Sequence, residues 1–266
     1  MLVDLGLWRP YRDSFMQLEH LDFLSPLGRQ HRLTLAWPDT PAPADGWPLL
    51  CVLDLPQFEA VLATCEKQAP QACAVLGIGY GGEVWRDQDF TPALNGEAGH
   101  APDFLAMMQD VFLPWAYAQA PLNAQRRLLC GHSLGGLFAL QLLYQQPELF
   151  DALVVSSPSV WWGEGYLARL LAQPLPKAAM TMPVQFSVGE FEQSLGPAEE
   201  AMPEDKRELR RLRLQERRMV DGTRELAQAL AQQQGGEPRF RIVPGCNHSQ
   251  SGLAALPQAC LEWLAE

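Results

Sequence analysis

The sequence lacks the features that mark several whole classes of protein. No run approaches the roughly 20 apolar residues that a membrane-spanning helix needs, and no CxxC pair occurs. Histidines, cysteines and carboxylates do not cluster at metal-ligand spacing. Residues 1–12 contain no long apolar run before a small-residue cleavage site. We therefore expect no transmembrane segment, no metal site, no secretory signal and a cytoplasmic location.

Basic residues are also scarce. The 266 residues include 20 Lys and Arg against 31 Asp and Glu, so the formal net charge is −11. Nucleic acids and anionic membranes both need a basic face on their protein partner, so neither is an expected partner. Eight of the 20 bases fall within residues 199–225, which makes that region the exception.

What the sequence does contain is enough apolar material for a packed core. Hydrophobic residues make up 47% of the chain, which excludes disordered and fibrous classes. No repeat is visible, and residues 38–48 are predicted to be a surface connection, so we expect a single domain over residues 1–266. The six cysteines lie in or beside apolar runs and are predicted to be reduced core thiols.

Short β-rich runs alternate with longer helical patterns along the chain, which is typical of an α/β fold. We predict a mostly parallel sheet of about eight strands flanked by helices. The predicted strands are 15–23, 31–37, 49–54, 72–80, 127–131, 152–156, 184–189 and 239–243, and the predicted helices are 56–68, 102–119, 134–146, 162–171, 205–233 and 253–264. Residues 190–218 differ in character, and are either a lid over a site or a solvated, charged helix.

The strongest motif is Gly131-x-Ser133-x-Gly135, which lies between an apolar strand and an amphipathic helix. Such a nucleophile elbow presents the serine at the end of a sheet, and we expect side chains two positions away on either side to collide. Ser133 is therefore the predicted nucleophile. The amide of Leu134, at the start of the helix, is predicted to donate to an oxyanion.

A catalytic serine needs a base, which follows it in the α/β-hydrolase order of serine, acid and histidine. The chain has five histidines, and only His248 follows the elbow at a distance, directly after the last predicted strand. His248 is therefore the predicted base, and the adjacent His132 is predicted to be a packing residue. The second oxyanion amide normally comes from the loop after the third strand, which nominates Leu55.

The run Gly77-x-Gly79-x-x-Gly82 matches the dinucleotide-binding fingerprint, but a loop-like segment follows it instead of a helix. That fingerprint requires a helix N-terminus at the pyrophosphate. We therefore interpret it as a flexible turn at the edge of the sheet that carries the site, and expect no cofactor.

Seven segments together resemble one group of enzymes. The chain is similar to the esterase branch of the α/β-hydrolases that contains the enterobactin and salmochelin (trilactone siderophore) esterases and, more distantly, S-formylglutathione hydrolase. The segments are Val52-Leu-Asp54, Gly77-Ile-Gly-Tyr80, Arg86-Asp-Gln-Asp-Phe-Thr-Pro92, Gly131-His-Ser-Leu-Gly-Gly-Leu-Phe138, Ser157-Pro-Ser-Val-Trp-Trp162, Val188-Gly-Glu-x-Glu192 and Asn247-His248.

The resemblance implies an α/β-hydrolase fold and ester hydrolysis through an acyl-serine. It favours Glu192, third after Gly189, as the acid of a triad, with Glu190 as the alternative and a Ser-His dyad as a further one. Relatives usually carry glycine where this chain has Leu55, which changes the geometry expected of the oxyanion site.

The implied substrate is a catecholate siderophore ester, which is anionic and aromatic. Arg86 is then predicted to pair with it, and Trp161 and Trp162 to stack on it. The alternatives are that Arg86 pairs with Asp89 and that the tryptophans belong to the core. A general carboxylesterase is the second functional candidate, and a non-catalytic binding protein that uses its Arg-rich helix is the third. The small-molecule ester is the one partner expected, and the oligomeric state is open.

Overall fold

A computed structural model of the chain describes residues 16–69 and 72–266. Eight of its strands form one sheet, in the spatial order β1-β2-β4-β3-β7-β8-β9-β10. The other two, β5 and β6, form a separate hairpin. The strands are β1 Met16–Leu24, β2 Gln30–Pro38, β3 Trp47–Leu53, β4 Ala74–Tyr80, β5 Pro92–Leu94, β6 Glu97–His100, β7 Leu122–His132, β8 Ala152–Ser156, β9 Val184–Gly189 and β10 Phe240–Val243.

The sheet is parallel from β4 to β10, and β2 pairs antiparallel with both β1 and β4. The predicted sheet of about eight mostly parallel strands is therefore confirmed. Because parallel strands end at the same edge, the loops after β3, β7, β8, β9 and β10 meet there. That edge holds the residues described below.

Helices cover both faces of the sheet. Helices α1 and α10 pack on one face, while α3, α4, α5 and α9 pack on the other. A π turn at Met108–Phe112 joins α3 to α4. The helices are α1 Leu55–Gln68, α2 Arg86–Asp89, α3 Ala101–Met107, α4 Leu113–Gln119, α5 Leu134–Gln145, α6 Tyr166–Leu171, α7 Pro197–Glu200, α8 Glu204–Arg217, α9 Met219–Gln234 and α10 His248–Ala265.

Several predicted boundaries were wrong. The long helix predicted at 205–233 is two helices, because Arg218 adopts a left-handed conformation with φ 46°. No glycine marks that break. The last helix begins at His248, five residues early, because the Asn247 side chain accepts from the amide of Ser249 and caps it. The segment after residue 82, predicted as a loop, contains α2 and the β5–β6 hairpin.

The glycines of the apparent dinucleotide motif have a packing role. A Cβ on Gly77 would lie 2.5 Å from Cγ of Phe58, and one on Gly79 would lie 2.5 Å from Cγ of Leu55. Both glycines belong to β4, so they let α1 approach the sheet closely. Close contact between a helix and a strand therefore accounts for two of the three glycines.

In the part of the chain that the structure describes, no helix is both long and apolar enough to cross a bilayer. Within the same residues, no three histidine, cysteine or acidic side chains converge as a metal site would require. All six cysteines are free thiols, and five of them are buried.

The close contact of α1 with β4 can be tested by substitution. We expect Gly77→Ala to lower the free energy of unfolding by about 1–3 kcal/mol, because the new methyl group overlaps the buried Phe58 ring. Gly82→Ala is the matched control, since its Cβ would be 3.6 Å from the nearest atom and should change stability by less than about 0.5 kcal/mol. Urea denaturation measures both, and equal stability of the two variants would contradict this account of Gly77.

Candidate active site

Ser133 lies in the sharp turn between β7 and α5, with φ 60° and ψ −117°. This left-handed conformation is strained for a residue with a side chain. A Cβ on Gly131 would lie 2.2 Å from the carbonyl oxygen of Gly135, so the turn requires glycine there. The expected collision at Gly135 is wrong, because its own Cβ would have no contact below 3.4 Å. The backbone carbonyl of Gly135 is therefore the group that excludes a side chain at residue 131.

The structure brings the predicted serine and histidine together with one of the two glutamates. His248 Nε2 lies 3.0 Å from Ser133 Oγ, and His248 Nδ1 lies 2.6 Å from Glu192 Oε2. His248 is the first residue of α10, and Glu192 ends a short helical turn directly after β9. The three side chains therefore form a continuous hydrogen-bonded chain at the carboxyl edge of the sheet.

The two candidate acids occupy different surroundings. Glu192 is 1% exposed, and its Oε1 accepts from Ser157 Oγ at 2.5 Å and from the amide of Gly189 at 2.8 Å. Burial opposes ionisation of Glu192, but the bonds from His248, Ser157 and Gly189 outweigh it and lower the pKa of this carboxyl. Glu190 is exposed and accepts from the amide of Gly245 at 2.8 Å. The carboxylate that contacts the histidine is thus Glu192.

His132 lies beside His248, with their ring centroids 4.7 Å apart. Burial, and then the neighbouring His248, lower the pKa of His132 to about 3, so its ring is neutral at physiological pH. Its Nε2 lies 3.4 Å from Ser251 Oγ, and a Cβ on Gly252 would lie 2.7 Å from its ring. His132 therefore packs between the elbow and α10.

Leu134 and Leu55, the two predicted oxyanion donors, are the first residues of α5 and α1. Amides in the first turn of a helix have no partner within that helix, so both N–H groups are available to a ligand. Leu55 and Ser133 line the same cavity. The residue before Leu55, Asp54, has φ 72°, a left-handed conformation that turns the chain from β3 into α1.

Arg86 reaches this edge but does not pair with Asp89, so that alternative was wrong. Its Nη2 lies 2.9 Å from Asp54 Oδ2 and 3.3 Å from the carbonyl oxygen of His132. Asp89 pairs instead with Arg29 and accepts from Tyr80 Oη. Burial raises the pKa of Asp54, and the guanidinium of Arg86 opposes that rise. Arg86 thereby connects the loop before Leu55 to the residue before Ser133.

A cavity of about 430 Å³ opens at the serine. It contains Arg86 but neither Trp161 nor Trp162, which the resemblance had nominated for stacking. The residues that line it are Asp54, Leu55, Pro56, Gln57, Gly79, Tyr80, Val84, Arg86, His132, Ser133 and His248.

The two tryptophans differ from each other. Trp162 packs against the core with Tyr166, in an edge-to-face contact at 5.5 Å, as its core alternative predicted. Trp161 is 42% exposed and lines a second cavity, where the guanidinium of Arg217 lies 4.5 Å from its ring. The segment 190–218, predicted as a lid or a solvated helix, thus contributes Arg217 to the wall of that cavity.

Comparison with known proteins identifies the family of the chain. The profile of the serine aminopeptidase S33 family (Hydrolase_4) matches residues 77–213, just over half of the chain. The chain belongs to this α/β-hydrolase family. Its fold is also that of siderophore hydrolase EstA from Aspergillus nidulans, with TM-score 0.81 and 21% identity over 100% of this chain and 99% of that one. Enterobactin and salmochelin hydrolase IroE has the same fold, with TM-score 0.71 and 24% identity over 95% of this chain and 96% of that one.

Curated relatives match a shorter stretch. Ferri-bacillibactin esterase BesA of Bacillus subtilis is 26% identical over 166 residues, which are 53% of this chain and 57% of that protein. Siderophore enterobactin esterase of Emericella nidulans is 33% identical over 135 residues, 48% of this chain and 44% of that protein. The chain therefore spans about half the length of the curated relatives that it matches.

Sequence reasoning missed two side chains at the site of this α/β-hydrolase. Ser157 holds Glu192, and it adopts φ 46° directly after β8. Asp54 holds Arg86 at the end of β3. A polar residue directly after a buried strand is the signal that could have found both, since parallel strands end at one edge.

The contact with His248 predicts which glutamate matters. We expect Glu192→Gln to lower kcat for p-nitrophenyl acetate by about 10²–10⁴-fold, because the neutral amide no longer stabilises the protonated imidazole. Glu190→Gln is the matched control and should stay within about twofold, since its amide oxygen can still accept from Gly245. A larger loss in Glu190→Gln than in Glu192→Gln would contradict the assignment.

The Arg86–Asp54 pair predicts a non-additive effect. Arg86→Ala and Asp54→Ala should each lower kcat for the same neutral ester by about 10–100-fold, because each frees the loop that carries the Leu55 amide. The double variant should lose little more than the worse single one. The exposed pair Arg32–Asp22 has similar bonds and is the matched control, with no expected effect. Additive losses, or losses seen only in KM for anionic esters, would instead indicate that Arg86 binds substrate.

Proposed function

We propose that this chain is a serine esterase that hydrolyses carboxylic esters through an acyl-serine intermediate. The observation that carries the proposal is the hydrogen-bonded chain from Ser133 through His248 to the buried Glu192, with separations of 3.0 and 2.6 Å. An isolated serine hydroxyl is a poor nucleophile and needs a base in contact with it. Here the base is in contact with the hydroxyl, and the ionised carboxylate keeps its ring in one orientation.

In the first half-reaction, His248 Nε2 takes the Ser133 proton as Oγ attacks the ester carbonyl. The negative charge that develops on the carbonyl oxygen meets the amides of Leu134 and Leu55. Glu192 accepts from Nδ1 and stabilises the imidazolium that forms. The imidazolium then gives its proton to the leaving alcohol, and the acyl group stays on Ser133.

The second half-reaction repeats these steps with water. His248 takes a proton from the water as its oxygen attacks the acyl carbon, and returns the proton to Ser133 Oγ when the acid leaves. These residues complete the cycle without a cofactor. His132 remains neutral because burial depresses its pKa to about 3, so it places no competing positive charge beside His248.

We further propose that the ester is a catecholate siderophore trilactone. Two relatives, ferri-bacillibactin esterase BesA and the siderophore enterobactin esterase of Emericella nidulans, support that substrate class for this chain. A general carboxylesterase is the second candidate, favoured by the largely apolar groups, such as Leu55, Pro56 and Val84, that line the Ser133 cavity. A binding protein without catalysis is the third, and the intact triad opposes it.

The extent and location of the protein are part of the same proposal. We propose that one α/β-hydrolase domain occupies the chain, and that the segment 190–218 is part of it, supplying Glu192 and a wall of the second cavity, and is not a separate unit. The cytoplasmic location and the small-molecule partner stay predictions. Cell fractionation, with detection by an antibody to the chain, tests the cytoplasmic location.

The proposed nucleophile makes a direct prediction. Ser133→Ala should abolish labelling by a fluorophosphonate probe and reduce p-nitrophenyl acetate hydrolysis by at least about 10³-fold, because the variant has no oxygen to acylate. Ser194→Ala is the matched control, since Ser194 is exposed and its hydroxyl contacts the carbonyl oxygen of Glu190 instead of a triad side chain, and it should label normally. If the unaltered chain does not label, the esterase proposal fails.

The same proteins separate the candidate substrates. The unaltered chain, incubated with ferric or iron-free enterobactin, should release linear trimer and smaller fragments that Ser133→Ala does not release. Short p-nitrophenyl esters run in parallel measure general esterase activity. Turnover of the short esters without any trilactone cleavage at micromolar enzyme would favour the general carboxylesterase.

A further inference from the structure

A second cavity, larger than the one at Ser133, is lined by Val160, the residue after Ser159. It has a volume of about 750 Å³, which is within the usual range for small-molecule sites. We call it the arginine cavity. Its lining residues are Val160, Trp161, Glu164, Gly165, Ala168, Leu171, Arg213, Glu216, Arg217, Arg218, Gly222, Glu225, Leu226 and Ala229.

Two consecutive residues, Ser159 and Val160, connect Ser133 to the arginine cavity along the chain. Ser159 Oγ lies 3.4 Å from Ser133 Oγ, and the Ser159 amide donates to the carbonyl oxygen of Ser133 at 3.2 Å. Val160, the next residue, already lines the arginine cavity. The two cavities share no lining residue, so Ser159 and Val160 are the link between them along the chain.

Two arginines in this cavity have no carboxylate partner. Within residues 16–69 and 72–266, Arg213 and Arg217 make no ion pair. Each of the other arginines of α8 makes one. Arg213 and Arg217 are four residues apart, so they lie on the same face of the helix and repel each other. Two unpaired guanidinium groups on one helix face can both donate hydrogen bonds to an anion.

The surrounding charges leave these two arginines cationic. Three carboxylates, Glu164, Glu216 and Glu225, also line the arginine cavity, and Glu225 is neutralised by Arg218 at 2.7 Å. Burial lowers the pKa of Arg217, and repulsion by Arg213 lowers it further, against a smaller opposing effect of Glu216. Repulsion by Arg213 therefore acts on the Arg217 guanidinium more strongly than attraction by Glu216.

The walls of the cavity suit a flat, apolar body. Trp161 lies on one side and is partly open to solvent, while the buried Leu171 and Leu226 lie among its apolar walls. Helix α9 can approach because residue 222 is glycine: a Cβ there would lie 2.9 Å from Val160 Cγ2. An aromatic ring can pack against these groups while its charge faces the arginines.

We propose that the arginine cavity is a subsite for an aromatic anion, an arene that carries a carboxylate or phenolate, with Arg213 and Arg217 binding the charge and Trp161 contacting the ring. Its use in ester hydrolysis rests on the proposed function, because the subsite would then hold the acid arm of an ester whose carbonyl reaches Ser133. The binding itself does not depend on turnover.

The test is a calorimetric titration of the full chain with 2,3-dihydroxybenzoate, and with neutral benzamide as the matched ligand. We expect binding of the anion with weaker or no binding of benzamide. Arg213→Ala and Arg217→Ala should each weaken the anion about tenfold or more, because each removes a charged hydrogen-bond donor. Arg211→Ala is the matched variant, since Arg211 is already paired with Glu208 on the same helix, and it should bind normally.

The outcomes are distinguishable. No heat with the anion up to millimolar concentration, equal affinity for benzamide, or equal affinity in all three variants would each overturn the subsite. Thermal melting of each variant shows whether a loss of affinity comes from unfolding, and Trp161→Phe, which keeps an aromatic wall, should retain most of the affinity. Failure of the unaltered chain to hydrolyse p-nitrophenyl acetate would refute the proposed function and leave this titration valid.

Discussion

A buried carboxylate that must stay ionised is the constraint on which the site depends. Glu192 has almost no contact with solvent, so its charge persists because Ser157, Gly189 and His248 all donate to it. Those donors come from the ends of β8 and β9 and from the start of α10. Ser157 Oγ also contacts Ser251 Oγ on α10 at 2.8 Å. Satisfying one charge therefore fixes three elements relative to one another, and with them the imidazole of His248.

The same edge also stores backbone strain. Asp54, Ser133 and Ser157 each have a side chain and a positive φ, and each directly follows a strand, β3, β7 and β8 respectively. Such conformations persist only where the surroundings hold them. Arg86 holds Asp54, the amide of Ser133 donates to the carbonyl oxygen of Ser156, and Glu192 holds Ser157. The positive φ values change the direction of the chain at Asp54, Ser133 and Ser157, at the edge of the sheet that carries the site.

Sequence alone could predict the sheet and could nominate Ser133 and His248, whose side chains are in contact, because these inferences depend on local patterns and on the order of the chain. The choice between Glu192 and Glu190 depends on how the chain turns after Gly189, where a Cβ would lie 2.5 Å from the carbonyl oxygen of Cys246. That contact joins segments far apart in sequence. The partner of Arg86 is 32 residues away, so proximity along the chain favoured Asp89 wrongly. Long-range contacts, not local propensity, decided each of these points.

Net charge is a poor guide to where an anion would bind. The residue first nominated to meet an anionic substrate, Arg86, already forms an ion pair with Asp54, and both residues line the Ser133 cavity. The basic stretch of residues 199–225 is likewise mostly paired with its own carboxylates. A charge attracts a ligand only where no protein group has already compensated it. Arg213 and Arg217 meet that condition among the arginines of α8, and they line a cavity that also includes Val160, the residue after Ser159.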